Sequence, residues 1–98
     1  MSFYKMFIDG QWCDSSDAKT REQFNPSNGE SLGFTAEGTV DDVNRAVDAA
    51  EEAFKSWRLT SSAERAELLL KAADLVDRRA EEIGRLESAC TGQLLSAC

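Results

Sequence analysis

The sequence has 98 residues, 42% hydrophobic and 30% charged, which fits one soluble domain with a modest core. Eighteen acidic residues against eleven basic ones leave a net charge of −7, which argues against nucleic acid or an anionic membrane as partner, since both need clustered Lys and Arg. Cys13, Cys90 and Cys98 are widely spaced and there is no His, so neither a disulfide framework nor a zinc site is expected.

The opening MSFYKMF lacks the long apolar stretch and small-residue cleavage pattern of a signal peptide, and no later segment has the length of a membrane span. The expected compartment is the cytoplasm. In KMFIDGQWCD, Asp9-Gly10 separates two apolar runs, a strong hairpin signal because both turn positions need positive φ. That register pairs Ile8 with Gln11 and Phe7 with Trp12, placing the two aromatic rings on one face. The polar SSDAKT reads as a loop, REQF as a third short strand ended by Asn25-Pro26, and SLGFTA as a fourth.

Thr39 with Asp42 three residues on reads as a near capping box opening the first helix. Val43, Ala46, Val47, Ala50, Phe54 and Trp57 then form one apolar stripe, with the end expected near Trp57. Thr60 or Ser61 caps a second, longer helix, and Ser61 with Glu64 fits the box. This helix carries two apolar lines. One runs Ala66, Leu69, Leu70, Ala73, Val76, Ala80, Ile83; the other takes Leu68, Ala72, Leu75 and Leu86. A helix lying on one partner needs only one stripe, so the two lines imply cover on more than one side. Glu67–Lys71, Asp74–Arg78 and Glu81–Arg85 are supporting i,i+4 pairs. Gly92, in the Thr-Gly pair, ends the helix, and Leu94-Leu95 reads as an apolar start to something new, three residues before Cys98.

No constellation for chemistry emerges. The acids of the second helix alternate with bases, which lowers carboxylate pKa values and suits a solvated face. Gly29, Gly33 and Gly38 lack the strand–loop–helix setting of a phosphate cradle. No His is present to activate a thiol, and Cys90 falls at a helix C-terminus, where the dipole disfavours a thiolate.

The order FIDGQW, FNPSNGE, GTVDDVNRAVDAAEEAFKSW, ERAELLLKAADLVDRRAEEIGRLES and then TG resembles the N-terminal segment of NAD(P)-dependent aldehyde dehydrogenases. Five blocks match in order and at compatible spacing over nearly the whole chain. The resemblance implies an α+β fold: short N-terminal β-strands with a hairpin, then two antiparallel α-helices. This is the leading part of a cofactor-binding domain without its Rossmann core. The expected organisation is one partial domain, with strands over residues 1–38, helices over 39–58 and 60–91, and a stump at 92–98.

It implies a longer enzyme that oxidises aldehydes to acids with NAD or NADP through a thiohemiacetal on cysteine. The family's catalytic cysteine, general-base glutamate and dinucleotide glycines come later, so no catalytic or cofactor-binding residue is assigned here and no cofactor is expected for this chain alone. The expected partner is the rest of such a subunit, or another copy of the chain. A non-enzymatic module binding through an exposed apolar helix face is the alternative, and an unrelated helical adaptor a third reading. The family's structural monovalent-cation site maps onto the backbone oxygens of Gln23 and Phe24 and onto Cys90, where the family usually has Asp. The family also usually has Lys at Gln93 and Pro at Leu94. A neutral thiol is a poor ligand for Na⁺ or K⁺, so any such site is expected to be weak or absent.

Overall fold

The computed structural model describes residues 2–98. In chain order the elements are β1 (Phe3–Tyr4), β2 (Met6–Ile8), β3 (Gln11–Cys13), β4 (Thr20–Phe24), β5 (Ser31–Ala36), α1 (Val40–Trp57), α2 (Ser62–Arg78) and α3 (Ala80–Thr91), then a 3₁₀ turn at Leu95–Ala97. The architecture is the expected α+β, strands first and helices after. The chain divides into two compact units, one of residues 1–24 and 31–58, the other of residues 25–30 and 59–98.

In the first unit, β2 and β3 form the hairpin with Phe7 opposite Trp12 and Ile8 opposite Gln11. Asp9 (φ 53°) and Gly10 (φ 74°) both take the positive φ that a type I′ turn demands. The Phe7 and Trp12 rings pack at 4.8 Å between centroids, tilted by 43°. The other sheet has the order β1-β5-β4. β4 runs antiparallel to β5, and its register shifts between Gln23 and Phe24. β1, a strand the sequence analysis did not anticipate, lies parallel to β5 with Phe3 opposite Phe34. The approach is close: the Phe34 N–H donates to the Ser2 carbonyl at 2.9 Å. Gly33 sits there at φ +112°, and a Cβ on it would collide with the Ser2 carbonyl oxygen and stand 3.0 Å from its carbon.

Thr39 caps α1 through a complete capping box with Asp42. The polar loop between β3 and β4 carries its own hydrogen bonds. The buried Ser15 hydroxyl lies 3.0 Å from both the Asp17 carboxylate and the Lys19 carbonyl. The Lys19 N–H donates to Asp17 Oδ1, which chiefly accounts for an Asp17 carboxyl held below its ordinary value. Arg21 and Glu37 form a two-pronged ion pair at 2.8 and 2.7 Å.

In the second unit, Ser61 and Glu64 complete the box that starts α2. The three expected i,i+4 pairs form at 3.5, 3.0 and 2.9 Å. The long helix is broken, however. Arg79 (φ −107°, ψ 15°) separates α2 from α3, so the helix expected over residues 60–91 is two. Neither Pro nor Gly stands at the break. The Arg79 N–H is shared between the Leu75 and Val76 carbonyls at 3.1 and 3.2 Å, which tightens the turn toward 3₁₀ geometry. Gly92, left-handed at φ 77°, ends α3. The Ser88 hydroxyl then donates to the Gln93 carbonyl at 2.6 Å, and Cys98 returns over the buried Gly84.

Among the described residues no large apolar side chain is buried. No helix among them is long and apolar enough to cross a membrane.

Candidate functional site

The groups singled out for chemistry fall on different elements. Cys13, Cys90 and Cys98 are free thiols, and among the described residues no group of three or more His, Cys, Asp or Glu could hold a metal ion. Gln23 and Phe24 straddle the register shift at the end of β4, where the Gln23 amide donates to the Thr35 hydroxyl at 3.1 Å. Both belong to the first unit; Cys90 belongs to the second, exposed in the last turn of α3.

One polar cluster is built. Asp42, 2% exposed, accepts from the Thr39 N–H at 2.9 Å and from the Ser16 N–H at 3.1 and 3.2 Å, with Arg45 Nη2 at 3.3 Å. The Thr39 and Ser16 hydroxyls lie 2.7 Å apart. These donors, the Thr39 N–H foremost, hold the Asp42 carboxyl below its ordinary value against the effect of burial. Its oxygens are taken up by the Thr39 and Ser16 N–H groups, which makes it a structural acceptor. The capping signal Thr-x-x-Asp marked it as a cap; its bond to Ser16, 26 residues earlier, had no local signal.

The chain also presents open apolar surface. In the first unit, Phe7 (60% exposed), Val43, Val47 and Phe54 remain open. The hairpin end and the small residues Ala46, Ala49, Ala50 and Ala53 line a shallow apolar trough of about 310 Å³. In the second, both apolar lines of the long helix are open: Leu69 and Leu70 are 71% exposed, and Leu68, Leu75 and Leu86 about half exposed. A monomer rarely leaves that much contiguous apolar surface uncovered unless it is an interface. Both lines of the broken helix are therefore open to a covering surface.

The Aldehyde dehydrogenase family model matches residues 12–98. D-glyceraldehyde dehydrogenase (NADP(+)) of Thermoplasma acidophilum is 40% identical over 79 residues, covering 81% of this chain and 16% of the relative. Aldehyde dehydrogenase family 2 member C4 of Arabidopsis thaliana is 41% identical over 96 residues, covering 96% of this chain and 19% of the relative. Among solved structures, the NAD-dependent aldehyde dehydrogenase from Sinorhizobium meliloti superposes with a TM-score of 0.94 at 37% identity, over 98% of this chain and 20% of that one. The chain thus spans about a fifth of the length of the proteins it matches.

Proposed function

The chain belongs to the aldehyde dehydrogenase family, and from that premise we propose that it is the N-terminal scaffolding segment of an enzyme that oxidises an aldehyde to a carboxylic acid with NAD or NADP. The observation that carries this reading is the open apolar surface on the helices of a chain that spans about a fifth of its relatives' length. In this reading the remaining four-fifths of the subunit cover that surface and hold the cofactor and the reacting cysteine. The proposed compartment is the cytoplasm, on the cysteine pattern.

The chain alone is expected neither to bind NAD or NADP measurably nor to turn over aldehydes. Calorimetric titration beside a turnover assay on several aldehydes checks this, and saturable micromolar binding would overturn it. The same exposed faces also suit a non-enzymatic interaction module. Co-expression with a family subunit lacking its own first fifth separates the two: recovery of soluble, active enzyme supports the scaffold, and failure to associate supports the module.

We propose further that a monovalent-cation site drawing on the Gln23 and Phe24 carbonyls and on Cys90 is weak, because a neutral thiol replaces the one carboxylate ligand. In a full-length subunit carrying this segment, the melting point is expected to be the same in K⁺, Na⁺ and a bulky organic cation at matched ionic strength. The Cys90→Asp variant is expected to melt higher in K⁺ or Na⁺ than in the organic cation. Selective stabilisation of the unaltered protein by K⁺ would show that the thiol is no obstacle.

A further inference from the structure

The Asp42 carboxylate serves two pieces of structure at once. Toward its own helix it completes the capping box with Thr39. Toward the connection between β3 and β4 it accepts the Ser16 N–H on both oxygens, at 3.2 and 3.1 Å. A cap needs only the first of these. The second reaches 26 residues back along the chain to a backbone group in a polar loop. We propose that Asp42 is a charge-dependent latch that fixes the loop after the hairpin to the start of α1. The proposal stands on the first unit alone and is independent of the enzymatic reading.

The surroundings favour a charged latch. Arg45 on α1 lies 3.3 Å from Asp42 Oδ1, and the same guanidinium nitrogen lies 3.6 Å from the Cys13 thiol at the end of β3. Within the loop, the Asp17 carboxylate is engaged by Ser15 and by the Lys19 N–H, with the Lys19 ammonium 3.9 Å away. On the β4–β5 side, Glu37 is taken by Arg21 at 2.7 Å. Each of these charges has its own partner, which leaves Asp42 as the acceptor for Ser16. A neutral carboxyl keeps an oxygen for the helix cap, but it loses the charge assistance that makes the longer bonds to Ser16 worthwhile. A backbone N–H left without that partner returns to water, and the loop lifts.

The sign of the pH dependence follows. The Asp42 carboxyl titrates below its ordinary value of 3.8 in the folded chain. The latch is therefore closed throughout neutral and mildly acid conditions and opens only as pH falls through that lowered value.

The test is residue-resolved amide exchange on the full chain, wild type and Asp42→Asn, each rate divided by that of an unstructured peptide at the same pH. The Ala50 amide, inside α1, is the internal reference. Asparagine is expected to lower Ser16 protection by about tenfold or more while Ala50 keeps its own, because the lost bond is charge-assisted. In the wild type, Ser16 protection is expected to fall below pH 3.8 ahead of that of Ala50. If the two amides lose protection together in the variant, Asp42 is a helix cap and nothing more. Unprotected Ser16 in the wild type, or equal protection in both proteins, would overturn the latch.

Discussion

Prepared alone, the chain is expected to bind an apolar-surface dye and to sediment above its monomer mass of 10.8 kDa. Burying a leucine fully stabilises by roughly 1.5–3 kcal/mol. Leu68, Leu75 and Leu86 are 49%, 53% and 50% exposed, so each forgoes about half of that, and Leu69 and Leu70 at 71% forgo more. Together these losses are comparable to the whole stability of an ordinary domain, about 5–15 kcal/mol. The surface helices instead rest on caps and ion pairs worth a few tenths to about 1 kcal/mol each. Analytical sedimentation with dye fluorescence measures the effect. Replacing Leu68, Leu75 and Leu86 by Gln is expected to reduce both signals without abolishing helical circular dichroism. A dye-silent monomer with a sharp thermal transition would refute the prediction.

Gly33→Val is expected to detach β1 from the sheet. The backbone at φ +112° strains any residue with a Cβ, at about 1–3 kcal/mol. The Ser2 carbonyl occupies the place the side chain would take, and that carbonyl is the acceptor for the Phe34 N–H. Strain and collision act together on a pairing only two residues long. Amide exchange at Phe34 is the direct measurement: its protection should fall to that of a frayed edge, while Ile8 and Gln11, the hydrogen-bonded pair beside the turn of the separate hairpin, keep theirs. If Phe34 protection survives the substitution, β1 is not held by this contact.

The features legible in the sequence were those whose causes lie within a few residues. Asp9-Gly10 set the turn and hence the pairing of Phe7 with Trp12. Thr39 with Asp42, and Ser61 with Glu64, formed the reciprocal bonds their spacing calls for. The acid–base pairs of the long helix formed at their four-residue steps. What escaped depends on groups far apart in the chain or on no residue preference at all. A two-residue parallel strand carries no turn signal, and Gly33 read as an ordinary strand interior until the Ser2 backbone was seen against it. The break at Arg79 occurs between two good helix formers. Of the surface read as a site, the two apolar lines of the long helix were evident from spacing. The burial of Asp42 was not, because its decisive partner lies in a different loop.

The hairpin and the capped helices close only short loops, and such elements form in about 0.1–10 μs. Docking the apolar lines of α2 and α3 against anything else needs contacts far along a chain, and those come much later. In the scaffold reading the chain would therefore acquire its strands and helices almost at once during synthesis and then wait, with leucines outward, for the rest of the subunit. Leu68 to Leu70, in a helix already formed, would present neighbouring exposed leucines throughout that interval, a binding surface for a chaperone that recognises apolar side chains.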